Sequence, residues 1–399
     1  MENYVQRENS KLKPNGFNLL DTTLRDGEQQ PGLSFSLDQK LRVCHFLEKL
    51  GIEEVELGIP SASKNDVHTI KQIVDHKFNF ETVVWARATE SDVVECAKTK
   101  ADRLHVSLPL SNHHLDSMGK DFKWVCDKSK EISKIARGYF NKFSIGIQDA
   151  SRASFEVLFT YMDFLNDLGV DSIRYADTVG LMTPMETYDL FQNISKKYPN
   201  MQVEFHGHND FGLATANGLH ALLGGAKNVN VTLCGIGERA GNTSLEELIC
   251  LLELKFLDSS KYDKTQLTVL TKLMQSLTGE EIAHSKAIIG KNCFTHQTGI
   301  HQNLILKSAE NYQPIQPETV GMGKEVFLFG KYTGINAVKS SLNKNHIYIK
   351  KEELVDFVKY FKEHCSQKQL CLTETELVDF YQQHRVMEEN HNNSIKALG

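Results

Sequence analysis

The chain has 399 residues, 40% of them apolar and 24% charged, ordinary values for a globular protein that can hold one large α/β domain with appendages. A formal net charge of −6 argues against nucleic acid as a partner. Eight cysteines without a Cys-x-x-Cys spacing indicate neither a zinc knuckle nor a disulfide framework. The N-terminus lacks an apolar signal core, and no apolar run reaches the length of a membrane span, so a cytoplasmic protein without a membrane partner is expected.

Short apolar runs rich in β-formers are predicted as strands at Phe17–Leu20, Glu54–Gly58, Thr82–Ala86, Arg103–Leu108, Phe143–Ile147, Ser172–Ala176, Gln202–Phe205 and Val229–Cys234. Helical patterns lie between most of them. Leu37, Leu41, Cys44, Phe46, Leu47 and Leu50 form one stripe that Gly51 ends. Leu158–Leu168 ends at Gly169, and Ala214–Leu223 ends at Gly224. Eight strand–helix units in the first two thirds of the chain predict an α/β fold, a (β/α)8 TIM barrel. No Gly-x-Gly-x-x-Gly follows the first strand, which removes the usual dinucleotide-binding signal.

The segment Val203-Glu-Phe-His-Gly-His-Asn-Asp-Phe-Gly212 places His206 and His208 where a β-run breaks into polar residues. Side chains at i and i+2 of extended backbone leave the same face. Two neutral imidazoles with a carboxylate from elsewhere would make a facial N,N,O set for a divalent ion, with positions open to substrate.

Barrel active sites lie at the C-terminal ends of the strands. The polar residues expected there are Arg25 and Asp26 after strand 1, Glu56 on strand 2 and Arg87 after strand 3. His105 and Ser107 lie on strand 4, Gln148 and Asp149 follow strand 5, and Asp177 and Thr178 follow strand 6. His206 and His208 close strand 7, and Glu238–Asn242 follow strand 8. Such unpaired polarity at one end exceeds what stability asks for, although Asp21, Asp177 and Glu238 read equally well as loop caps.

Three segments carry a resemblance. Asp21-Thr-Thr-Leu-Arg-Asp-Gly-Glu-Gln29, His206-Gly-His-Asn-Asp210 and Gly235-Ile-Gly-Glu-Arg-Ala-Gly-Asn242 resemble the signatures of the DRE-TIM metallolyases, on their acyl-CoA-condensing branch. The resemblance runs from about residue 17 to about residue 345. Val55–Pro60, Val84–Arg87, His105–Ser111 and Asp149–Arg152 are most similar to homocitrate synthases of the nitrogen-fixation type.

The resemblance implies a divalent ion (Mg, Mn or Zn) held by Asp26, His206 and His208, with Asn242 as a weak or outer ligand. Arg25 would stabilise the developing alkoxide, and Thr178 would hold the C1 carboxylate of a 2-oxo acid, with Glu56 also in the substrate-binding set. It implies acetyl-CoA as co-substrate, with His301 and Tyr312 in the proton-transfer machinery. His301 ends, and Tyr312 follows, the segment His296-Gln-Thr-Gly-Ile-His301, which resembles a lid exchanged between the subunits of a homodimer. Gln148 stands beside the strand-5 aspartate where the family commonly has glutamate, and Gln297 and Tyr332 replace a family glutamate and histidine.

Homocitrate synthase is the expected activity, with 2-oxoglutarate as acceptor and Arg87, His105 and Ser107 as candidates for its distal carboxylate. Isopropylmalate or citramalate synthesis is the alternative, as is a non-catalytic barrel that binds metal and a 2-oxo acid. The expected organisation is an N-terminal extension (1–16), a catalytic barrel (17–285), a lid and linker (286–345) and a C-terminal helical segment with a polar, disordered tail (346–399). A leucine-feedback domain, for which no sequence follows, is not expected.

Overall fold

The structure, a computed structural model, describes residue 14, residues 16–257 and residues 261–396, with side chains to residue 390. The expected extension over 1–16 lies almost wholly outside the described residues. The chain divides into two compact units, one to Glu281 and one from Ile282.

The first unit is the expected barrel. Parallel strands β1 (Asn18–Asp21), β2 (Glu54–Glu56), β3 (Glu81–Arg87), β4 (Arg103–Pro109), β5 (Lys142–Gln148), β6 (Ser172–Asp177), β7 (Gln202–Gly207) and β8 (Asn228–Val231) follow one another around a closed ring. The ring shuts where Leu19 of β1 pairs with Val229 of β8.

Alternation along each strand sorts the side chains. On β4, Leu104, Val106 and Leu108 are fully buried on one face, while Arg103, His105 and Ser107 take the other. Arg103 reaches Glu54 on β2 and Glu204 on β7, so its face is the barrel interior. Tyr175 of β6 and Phe205 of β7 instead pack edge-on against Phe191 of the surrounding helix Pro184–Lys197. The apolar layer therefore lies between strands and helices. The barrel's centre is polar, unlike the branched apolar layers that usually fill this fold.

The helices begin and end on local signals. Helix α1 (Leu37–Leu50) starts at a capping box of Ser36 and Gln39 and stops at Gly51, whose φ of 93° is left-handed. A cap of this kind contributes about 1 kcal/mol. The β8 run is shorter than the reading Val229–Cys234, because Cys234 takes a φ of 59° inside a 3-10 turn and ends the extended backbone.

The second unit holds helices α2 (Ile335–Lys344), α3 (Lys351–Lys368) and α4 (Glu374–Lys396). Phe329, Val338, Leu342, Leu354, Phe357, Phe361, Leu377 and Tyr381 make its core. The polar tail, its final ten residues expected to be disordered, is helical through Lys396, because α4 continues without a breaker; residues 397–399 lie outside the described residues. Among the described residues no helix is long and apolar enough to cross a membrane.

Candidate active site

Three buried groups converge at the C-terminal end of the barrel. His206 Nε2 lies 3.5 Å from Asp26 Oδ2 and 3.3 Å from His208 Nε2. His206 belongs to β7, and His208 is held one step beyond by a bridge to Asn242. Ligand atoms at about 2.1 Å from a shared ion, at octahedral to tetrahedral angles, stand about 3.0–3.4 Å apart. The observed spacings fit that geometry with little adjustment.

The chemistry of the donors fits as well. Burial, aided by His206, pushes the His208 imidazole down to about 4, so it is neutral and able to ligate. Burial pushes the Asp26 carboxyl up, but Arg25 and both imidazoles outweigh it and hold the group well below its usual range. His206 Nδ1, His208 Nδ1 and Asn242 Oδ1 are buried without a hydrogen-bond partner. Asn242 donates through Nδ2 to Asp26 Oδ1 at 2.8 Å and to Ile236 O at 3.1 Å. A β-carbon at Gly237 would come within 2.1 Å of that nitrogen, which is why the segment after β8 needs glycine there. Among the described residues this is the group of three or more His, Cys, Asp or Glu side chains that could hold a metal ion.

Arg25 stands beside the ligand set. Its Nη1 donates to Asp26 Oδ2 and its Nε to Glu56 Oε2, each at 2.6 Å. Thr178 Oγ1 accepts the Asp149 N–H at 2.8 Å, leaving its own hydroxyl proton free to donate. On β3 and β4 the interior groups are joined: Trp85 Nε1 donates to Ser107 Oγ at 3.2 Å, and His105 contacts Ser107 Oγ at 3.1 Å and Ser144 Oγ at 2.7 Å. Burial, reinforced by Arg174 and Arg25, pushes the His105 pKa well down, so this wall is polar and uncharged. Gly146 makes room for it, since a β-carbon there would lie 2.6 Å from both His105 Nε2 and Ser107 Oγ.

Other residues expected at the site are paired or exposed. Arg87 grips Asp92 with two nitrogens, at 2.8 and 3.0 Å, and its side chain is 67% exposed. It is not an unpaired cation on the pocket wall. Gln148 is exposed at the end of β5. Asp21 and Asp177 are caps: Asp21 accepts from Thr23, and Asp177 accepts the N–H groups of Leu181 and Met182. Glu238 is exposed.

In the second unit, the rings of His301 and Tyr312 stack with centroids 4.1 Å apart, and His296 meets Tyr312 edge-on at 5.8 Å. Gln313 Nε2 lies 2.8 Å from His296 Nε2.

Sequence reasoning passed over Arg174. This residue is 2% exposed and pairs with Glu56 and Glu204. Its signal was a lone charge inside an otherwise apolar strand run.

Comparison with known proteins agrees with this geometry. Residues 16–274 match the HMGL-like family model, and residues 288–369 match the homocitrate synthase post-HMGL domain-like model. The chain is 32% identical over 365 residues to 2-isopropylmalate synthase 2 of Caldanaerobacter subterraneus subsp. tengcongensis, covering 91% of this chain and 94% of that one. It is 33% identical over 351 residues to a protein of Methanopyrus kandleri provisionally named (R)-citramalate synthase, covering 88% and 69%. Among solved structures, a hydroxymethylglutaryl-CoA lyase from Pseudomonas aeruginosa superposes with a TM-score of 0.59 at 18% identity, over 67% of this chain and 95% of that one, a likeness of fold. The chain thus belongs to the HMGL-like family of DRE-TIM metallolyases, as an enzyme of its acyl-transferring synthase branch.

Proposed function

We propose that this protein condenses acetyl-CoA with a short 2-oxo acid whose side chain is uncharged, in the manner of 2-isopropylmalate or citramalate synthases. The observation that carries the reading is the convergence of Asp26, His206 and His208 with Arg25 beside them, together with the uncharged group of Trp85, Ser107 and His105 on β3 and β4. A bound divalent ion would supply Lewis-acid polarisation of the keto group; Mg, Mn and Zn all suit a mixed N,O set.

The chain's own groups do the rest. The Thr178 hydroxyl donates to the C1 carboxylate. Arg25 donates to the keto oxygen as negative charge grows there, a contact stronger in the transition state than before it. A base removes a proton from the acetyl methyl, whose carbon attacks the keto carbon as the C=O π electrons pass to oxygen. That alkoxide takes up a proton to become the tertiary hydroxyl, and water then cleaves the thioester to release CoA and a carboxylate. Gln148 cannot be that base, because an amide takes no proton near neutral pH. His301, stacked on Tyr312, is the proposed base.

Thiol release from acetyl-CoA, followed across pyruvate, 2-oxoisovalerate and 2-oxoglutarate, tests the reading. Turnover with an uncharged acceptor is expected, and no release with any acceptor would refute it. A second reading, with 2-oxoglutarate as acceptor, is favoured by one observation: Arg174 Nη2 is buried without a hydrogen-bond partner.

The assignment of His301 makes its own prediction. His301→Ala should lower kcat about 100- to 10,000-fold, the usual range for a general base, with metal content unchanged. The family resemblance further suggests that His301 serves a partner subunit in a dimer. Mixing inactive His301→Ala and His206→Ala chains should then restore activity in heterodimers; heterodimers that form and stay inactive would remove that part of the proposal.

A further inference from the structure

A chain of buried charges runs through the barrel, away from the metal ligands. Asp26 pairs with Arg25, Arg25 with Glu56, Glu56 with Arg174, Arg174 with Glu204, and Glu204 with Arg103. Every distance in it is between 2.6 and 3.0 Å. Glu56 is fully buried and held from both sides, by Arg25 Nε at 2.6 Å on Oε2 and by Arg174 Nη1 at 3.0 Å on Oε1. Arg174 is held in turn by Glu204, which takes its Nε at 3.0 Å.

Stability alone does not account for such a chain. Replacing buried ion pairs with packed apolar residues is often neutral or favourable, and this fold ordinarily fills its barrel that way. Position does account for it. Asp26 Oδ2 is the oxygen nearest His206 and also the one that Arg25 Nη1 touches. Arg25 must stay close enough to help the substrate oxygen without closing two-pronged on Asp26 and competing for its lone pairs. Glu56 prevents that closure by taking Arg25 Nε, and Arg174 keeps Glu56 in place.

We propose that Arg174 is a positioning residue for the reaction: through Glu56 it fixes the guanidinium of Arg25 and so keeps the Asp26 carboxylate available to the divalent ion. The proposal rests on the reading of Asp26 as a ligand, and its chemical consequence rests on the proposed condensation.

The test uses Arg174→Met, Arg25→Met and the double variant, each with Mn²⁺ binding measured by calorimetry alongside kcat and the KM for acetyl-CoA. Arg174→Met is expected to weaken Mn²⁺ binding about tenfold and lower kcat about 100-fold, with the KM for acetyl-CoA unchanged. Arg174→Lys, which keeps a cation on Glu56, should recover part of both losses. In the Arg25→Met background Arg174→Met should add nothing, since two residues acting through one contact are not additive.

Wild-type Mn²⁺ affinity and kcat in Arg174→Met would overturn the proposal, and so would an equal loss with or without Arg25. If Arg174→Met fails to fold because Glu204 is left with Arg103 as its one cationic partner, Arg174→Met/Glu204→Leu removes that charge and is read by the same criteria. Wild-type protein that binds Mn²⁺ but turns over no acceptor would refute the condensation reading and leave the binding arm of this test intact.

Discussion

Replacing His206 or His208 with alanine is expected to remove both divalent-ion binding and turnover while the protein stays folded. Each imidazole supplies one of three converging atoms, and the two remaining donors no longer define a facial tridentate set. Changes to groups that merely orient metal ligands already cost 10- to 100-fold in affinity or activity, so losing a ligand should cost more than about 100-fold. The fold should not follow. Nδ1 of each ring makes no hydrogen bond, and Nε2 of one ring faces Nε2 of the other, so truncation orphans no backbone group. A stability change within about 1 kcal/mol is expected, the scale of one ordinary hydrogen bond. Metal content by elemental analysis and melting temperature on the same samples check both halves. A His206→Ala/His208→Ala protein with full metal content and activity would sink the assignment. Asp26→Asn should lose metal similarly, because an amide oxygen is a poor substitute for a carboxylate.

The barrel was legible because its grammar is local. Terminators such as Gly51 and Gly169, and eight separate β-runs, each report on a few neighbouring residues. The His-x-His pair was legible for the same reason, since strand pleat alone brings His206 and His208 to one face. What the sequence does not display is pairing across the ring. Arg87 looked like a free cation at a strand end, but Asp92 lies five residues on, at the start of the next helix, and captures it. Arg174, Glu204, Arg103 and Glu54 are far apart in the chain and meet only because the barrel closes. Their one sequence trace is a charge at an inward position of strands read mainly as apolar.

The captured Arg87 bears directly on the acceptor, and a strong preference is expected: kcat/KM for pyruvate or 2-oxoisovalerate at least about 100-fold above that for 2-oxoglutarate. A second carboxylate on the β3 and β4 side would find Trp85 and Ser107 backed by a buried, neutral His105, none of which carries a positive charge. Leaving an ionised carboxylate buried without a partner costs several kcal/mol, and about 2.7 kcal/mol is already 100-fold. Arg87 could answer that charge only by leaving Asp92, which would lose a two-pronged contact while still accepting from Ser61 and Thr89. Because Arg87 is mostly exposed, its pairing is weak, and Arg87→Ala should change turnover of uncharged acceptors by less than about threefold. Arg174 is another cation inside the barrel; its Nη2 has no hydrogen-bond partner, but two carboxylates already match its charge, so it offers no net positive charge to a third anion. A wild-type enzyme that prefers 2-oxoglutarate would overturn this selectivity. It would also identify Arg174 Nη2, rather than Arg87, as the group that receives the distal carboxylate, and in that case Arg87→Ala should still leave the preference unchanged.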